Sequence, residues 1–238
     1  MQLSDRLQAV VDLVTPGNRV ADVGCDHAYT SIYLVENKIS PNVIAMDINQ
    51  GPIDRAKENI RKYGYEDKIT TRKSDGLEKL RSGEVDTVLI AGMGGGLTVQ
   101  ILTRHRDRMV GLKELVLSPQ SEIHLVRELL ERIGFIITKE NMIKEEGKYY
   151  VMMKAEANKS VMDKEAYKLL CKEHVYFGRL LLESKHPILR EYLLKEEKRC
   201  INILETLQRE ASESTQARKQ EMEKILELID AALGYYNG

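Results

Sequence analysis

Short β-branched runs recur along the first two thirds of the chain, and helical patterns separate them. RVADV (19–23), NVIAM (42–46), KITTR (68–72), VDTVLIA (85–91) and ELVLS (114–118) read as buried parallel strands. TSIYLVEN, GPIDRAKENIRKYG, GLTVQILTRH and SEIHLVRELLERIG lie between or after them, with apolar residues three and four apart. Strand–helix alternation of this kind predicts an α/β fold, a doubly wound sheet with right-handed crossovers. FIITKENMIKEEGKYYVMMKAE (135–156) is different: two extended runs flank a Glu-Gly-Lys turn, which predicts a terminal antiparallel hairpin. The N-terminal MQLSDRLQAVVDLV mixes acid and base in an amphipathic pattern and reads as a helix of the fold, not a signal peptide.

After Asn158 the pattern shifts to helix alone. Leu189, Leu193, Ile203 and Leu207, then Met222, Ile225, Leu226, Ile229 and Leu233, fall at three- and four-residue spacings among dense Lys and Glu. ASEST (211–215) reads as the tip between two long helices. The expected organisation is a Rossmann-like domain over 1–158 and a helical coiled-coil domain over 159–238. Acids and bases nearly balance in the second segment, so it is no basic arm, and composition alone asks no more of it than a solvated charged face.

Composition narrows the picture. The chain has 238 residues, 31% of them charged, and no apolar run of transmembrane length, which predicts a soluble protein without a membrane partner. Cys25, Cys171 and Cys200 are far apart, with no C-x-x-C and no paired histidines. That pattern excludes a disulfide framework, argues against structural zinc or any required metal, and suits the cytoplasm. The net charge of −1 does not advertise nucleic acid, so any RNA must be met by local patches. Oligomeric state is left open, a monomer being compatible with the sequence.

In an open parallel sheet, ligands bind past the carboxyl ends of the strands, where the strand order reverses. The residues after each expected strand are therefore the ones that carry chemistry. They are Asp22, Gly24, Asp26 and His27 after the first, Asp47 and Ile48 after the second, and Asp75 and Gly76 after the third. The fourth ends in AGMGGG (91–96), with Gly92, Met93 and Gly94, and the fifth in SPQS (118–121). Asp47 stands where an acid accepts the hydroxyls of a ribose. Gly24 permits close backbone approach, but later glycines of a G-x-G-x-x-G fingerprint are missing, which argues against a pyrophosphate cradle. A ribose with an amino-acid tail suits the set better. Asp22 and Asp26 meet an ammonium, loop amides meet a carboxylate, and Asp75 accepts from an adenine amine. That ligand is S-adenosylmethionine, whose sulfonium tolerates an acidic pocket. Taken singly, Asp22 and Asp75 are better explained as loop caps, and the glycines could serve only as turn formers. The four strand ends together carry the reading.

ADVGCDHAYTSIYL, AMDINQGPIDRAKENI, SDGLEKL, IAGMGGGLT, LSPQSE and EEGKYYVM, in that order before a charged helical tail, closely resemble the bacterial tRNA (adenine-22-N1)-methyltransferase family, TrmK. The resemblance spans essentially the whole chain, with D-x-G-C-D-H-A and A-G-M-G-G its specific part. It implies a class I S-adenosylmethionine-dependent methyltransferase fold, tRNA as substrate and a C-terminal coiled coil.

Adenine N1 has its own lone pair, so alignment and electrostatics are the expected means of catalysis. Asp26 is the first candidate for stabilising the cationic product ring. Gln120 is the second, as a holder of the flipped base, and His27 is placed to bond the methionine tail or orient Asp26. Small residues after the fourth strand supply no acceptor for an exocyclic amine, which disfavours N6 methylation. Arg104, Arg106 and Arg108 in TRHRDRM are the best basic run for RNA, although an ordinary solvated surface explains them equally. Competing readings are methylation of another RNA base, a non-catalytic nucleotide-binding protein, and an NAD-linked oxidoreductase, for which glycines and a proton donor are lacking.

Overall fold

The computed structural model describes residues 1–157, 168–207 and 213–237. The chain divides into two compact units, Met1–Lys168 and Leu169–Gly238. The expected boundary at 158/159 lies at the edge of a stretch outside the described residues, as does part of the expected ASEST tip.

The first unit is built on one seven-stranded sheet in the order β3-β2-β1-β4-β5-β7-β6. Its strands are β1 (Val20–Val23), β2 (Val43–Asp47), β3 (Ile69–Lys73), β4 (Thr87–Ala91), β5 (Glu114–Ser118), β6 (Ile136–Glu145) and β7 (Lys148–Glu156). The first five are mutually parallel; β7 is antiparallel to both β5 and β6. Strands β1, β4 and β5 are the apolar runs seen in the sequence and are buried or nearly so along their length. β3 departs from expectation. Only Ile69 is buried, because β3 is an edge strand and ITTRK turns its polar positions outward. The hairpin forms as expected, with Glu146 and Gly147 both in left-handed conformations at its turn (φ 49° and 77°). Its second arm, however, is inserted beside β5, which leaves β6 at the sheet edge.

Helices α1 (Asp5–Val11), α2 (Tyr29–Glu36), α3 (Gln50–Tyr63), α4 (Gly95–Arg104) and α5 (Ile123–Ile133) accompany the sheet. Ser4 caps α1 by accepting from the Leu7 amide. α3 buries one stripe, Ile53, Ala56 and Ile60, at the three- and four-residue spacing of its sequence. At the amino edge of the sheet Glu114 accepts from Thr87 Oγ1 at 2.8 Å and pairs with the buried Lys154 ammonium at 2.9 Å. This closes the lower edge with satisfied polar groups. β1 sits between β2 and β4, so the connections leave it in opposite directions. The crevice at its carboxyl end is the switch point where ligands bind in such sheets.

The second unit contains α6 (Arg179–Glu183), α7 (Pro187–Leu207) and α8 (Glu213–Gly234), preceded by a wide π-type turn at His174–Gly178. α7 and α8 pack against each other, with Leu189, Leu193, Cys200, Met222, Ile229 and Ala232 buried. Their ends are fastened by Tyr236 Oη, which donates to the His186 carbonyl at 3.0 Å. No helix among the described residues is long and apolar enough to cross a membrane.

Candidate active site

The turn after β1 is held by its neighbour strand. The amides of Gly24 and Cys25 both donate to the Met46 carbonyl on β2, at 2.8 and 3.1 Å, and the Ala28 amide donates back to the Cys25 carbonyl at 2.7 Å. Asn59 on α3 donates to the His27 carbonyl at 3.0 Å. Within this frame Gly24, Asp26 and Ala28 all have positive φ (78°, 35° and 58°). The backbone thus keeps left-handed, glycine-like conformations at Asp26 and Ala28 with no glycine at either. Non-glycine residues in that region cost of order 1–3 kcal/mol each and persist when the surroundings over-determine them.

Asp22 lies inside the sheet end, 3% exposed, and accepts from Ser31 Oγ of α2 at 2.7 Å. Burial pushes its carboxyl up to about 6, against the opposing effect of the Ser31 hydrogen bonds. Burial, then the negative charges of Asp22, Asp47 and Asp26, push the Cys25 thiol far up, so it is no nucleophile at neutral pH. Those three charges mark the turn as strongly acidic. Asp47 ends β2 with Oδ1 accepting from the Asn49 amide at 2.8 Å, while Oδ2 has no partner among the described residues. Beside it Ile48 is 54% exposed, an apolar surface next to a free carboxylate oxygen. A carboxylate for a diol, an apolar face for a base and buried acid for a cation fit S-adenosylmethionine.

Other expected residues are engaged with protein partners. Asp26 faces outward and its Oδ1 pairs with Arg55 of α3 at 2.7 Å. The His27 ring reaches Asp26 only at 3.8 Å and stacks on Tyr29, with centroids 5.4 Å apart and planes 9° from parallel. Asp75 pairs with Arg104 at 3.0 Å, which ties an expected cofactor residue to an expected RNA contact. Arg108 pairs with the neighbouring Asp107 at 3.1 Å. Of the three arginines only Arg106 keeps an uncommitted head group among the described residues. Gly76 is needed for packing: a Cβ there would stand 2.8 Å from Ile101 of α4.

The AGMGGG loop is shaped by its contacts with the next loop. A Cβ at Gly95 would overlap the carbonyl oxygens of both Ser121 and Glu122. The Gly95 amide donates to Ser121 O at 2.9 Å, and Gly96 N to the Glu122 carboxylate at 3.1 Å. Glu122, itself left-handed (φ 48°), thereby caps the start of α4. The Gln120 amide N donates to Met93 O at 2.9 Å, so the loops after β4 and β5 are tied into one wall. Met93 crosses to the first turn, its methyl occupying the space that a Gly24 Cβ would need.

The sequence reading did not single out Ser31, Arg55, Asn59 or Tyr29. A signal existed for two of them: Arg55 and Asn59 are four apart on one face of α3, behind the acidic turn. Among the described residues no cluster of His, Cys, Asp or Glu has the makings of a metal site.

Residues 3–153 match the family described as "Methyltransferase domain". The tRNA (adenine(22)-N(1))-methyltransferase of Bacillus subtilis (strain 168) is 31% identical over 230 residues, 97% of this chain and 95% of that one. The crystal structure of the B. subtilis m1A22 tRNA methyltransferase TrmK superimposes with a TM-score of 0.88 at 31% identity, covering 98% of this chain and 99% of that one. M. capricolum TrmK, solved with the cofactor product S-adenosyl-homocysteine, gives 0.84 at 26% identity with 99% of each chain covered. By sequence and by fold, along nearly its whole length, this chain belongs to the tRNA (adenine(22)-N(1))-methyltransferase family.

Proposed function

We propose that this protein transfers a methyl group from S-adenosylmethionine to N1 of the adenine at position 22 in tRNA. The observation that carries the reading is coverage: likeness to the B. subtilis enzyme runs through 97% of the chain, and so through both units, not the sheet alone. When bound, the cofactor supplies an electrophilic sulfonium methyl.

Asp22 and the Gly24 turn hold its amino-acid tail, Asp47 its ribose and Ile48 its adenine, with Asp75 at the adenine edge. The wall formed by Gly92, Met93, Gly94 and Gln120 leaves room for the target base. Because N1 carries a free lone pair, no side chain is required as a base. The residues instead align the ring and offset the positive charge it gains. Asp26, exposed beside the crevice, is the carboxylate that serves this role, and the Arg55 pair fixes its direction. Gln120 bonds the base edge.

The second unit is the tRNA-recognition element, with α7 and α8 as a short coiled coil. A groove of about 850 Å³ on α7 mixes apolar Leu194, Ile203 and Leu207 and the acid Glu191 with Lys195, Lys198 and Asn202, and the last three are donors of the kind that meet a phosphate backbone. Arg106 adds a cation from the first unit. The test is methylation of two unmodified tRNA transcripts, one with adenine and one with guanine at nucleotide 22, with nucleosides identified by mass spectrometry. 1-Methyladenosine from the first and none from the second is expected. N6-methyladenosine, or equal transfer to both transcripts, overturns the reading.

A further inference from the structure

A buried guanidinium donor stands beside this site. Arg6 lies in the first turn of α1, fastened there by its backbone amide, which donates to Glu145 Oε1 of β6 at 3.0 Å. Its guanidinium lies over the Tyr150 ring of β7, with the central carbon 5.3 Å from the ring centroid. Nη1 is buried and has no hydrogen-bond partner among the described residues, and no carboxylate there pairs with the head group. A Cβ on Gly92 would stand 3.5 Å from Arg6 Nη1 and 3.6 Å from Gln120 Nε2. Two side chains from unrelated elements therefore converge on bare backbone at the carboxyl end of β4.

A guanidinium donor withdrawn from water without a partner is costly, and it calls for a complement. The stack on Tyr150 fixes the plane of the fork, so little conformational freedom is left to lose on binding. We propose that Arg6 binds a phosphodiester of the target nucleotide. The proposal rests on the reading of the protein as a tRNA base methyltransferase. Charge decides between base and phosphate. Arginine stays protonated, and adenine methylated at N1 is cationic, so a guanidinium facing the ring would oppose the reaction. A phosphodiester keeps its negative charge throughout and matches the planar fork. Nη1 is covered in the free protein, so a neighbouring group must give way as the phosphate enters, and Gly92 adds no side chain of its own to that cover. Such a contact is equally strong before and during methyl transfer, so it acts on substrate affinity rather than on the chemical step.

The experiment compares the wild-type chain with R6A, R6Q and R6K. It measures tRNA binding across a salt series without cofactor, S-adenosylmethionine affinity by calorimetry, and steady-state methylation. R6A and R6Q are expected to raise the tRNA Kd and KM about ten- to a hundredfold. Cofactor affinity should stay unchanged and kcat should move little. The slope of log K against log salt should become shallower by about one unit. R6K should restore the slope but only part of the affinity, because an ammonium has no fork. Y150L, which leaves the charge in place, should give an intermediate KM; it also reports on the site if R6A fails to fold. An unchanged tRNA Kd and salt slope in R6Q, or equal losses of tRNA and cofactor affinity, overturns the proposal. Loss of slope in R6Q, with wild-type protein methylating no adenine, overturns only the functional reading. Absence of salt-dependent tRNA binding by the wild type overturns both.

Discussion

Asp22→Asn isolates the electrostatics of the cofactor crevice. The carboxyl is almost fully buried and burial raises it from 3.8 to about 6. A raised carboxyl favours the neutral form in the folded state. Its contribution is therefore fully present below about pH 4 and is lost as pH rises through about 6, after which the deficit is constant. Two pKa units correspond to about 3 kcal/mol. Asparagine carries no charge, and its amide oxygen can still accept from Ser31 Oγ, but its NH2 is an added donor in a buried place at a cost of about 1 kcal/mol. The variant should therefore be more stable than wild type by about 1–2 kcal/mol at pH 7.5, and of about equal stability at pH 4.5. Cofactor binding should show the opposite sign. Wild-type affinity for S-adenosylmethionine should rise through about pH 6 as Asp22 ionises to meet the ammonium, while the variant binds weakly and without that step. Urea unfolding at several pH values, paired with calorimetric titration of the cofactor, measures both. A stability difference between variant and wild type that is the same at about pH 4.5 and pH 7.5 would refute the reasoning, whatever the cofactor does.

Further outcomes follow from the same geometry. Asp47→Ala should weaken S-adenosylmethionine about ten- to a hundredfold by calorimetry with the fold retained, if Asp47 is the proposed acceptor of the ribose hydroxyls. Gly95→Ala should destabilise the protein by about 3 kcal/mol in denaturant unfolding, because the atoms it meets are the Ser121 and Glu122 carbonyls, which cannot swing aside. Asp26→Asn should lower the single-turnover methylation rate by more than it weakens cofactor binding; equal losses would make Asp26 only a cofactor ligand. A chain ending at Lys168 should still bind S-adenosylmethionine in calorimetry yet lose most methylation of tRNA, and full activity would make the second unit dispensable for recognition.

Much of this fold is written in local pattern. β1, β4 and β5 follow from runs such as VLIA and LVLS, which only a buried strand position can use, and the stripe of α3 follows from its spacing. KITTR was legible in a different way: two threonines and two cations around one buried isoleucine are an edge strand's composition, overlooked when strands are counted by β-propensity alone. The placement of β7 between β5 and β6 is not local. It depends on Leu117 meeting Met153 and Leu115 meeting Ala155 across the sheet, pairings that no window of sequence contains. The candidate site divides the same way. Asp22, Asp47 and Asp75 stand out as candidates because strand ends announce them, whereas Ser31, Arg55 and Arg6 acquire a proposed meaning only from partners brought in by other elements.

The turn after β1 shows why glycine counting misleads here. A fingerprint records residue identity, but what a ligand meets is a backbone path. In this chain that path passes through left-handed conformations at Asp26 and Ala28 with no glycine at either. The hydrogen bonds from Gly24 and Cys25 to Met46, and from Asn59 to His27, supply the constraint that glycine would have made unnecessary. Strain of order 1–3 kcal/mol per residue is thus carried by the fold. In exchange, a carboxylate stands where a glycine would offer only an amide, with the His27 imidazole next to it. A pyrophosphate needs amides and open space, so for it the exchange is a loss. For a cofactor that is cationic at both its ammonium and its sulfonium, acid close to the turn is the more useful feature. On the proposed reading, the departure from the glycine pattern and the choice of ligand have one physical cause.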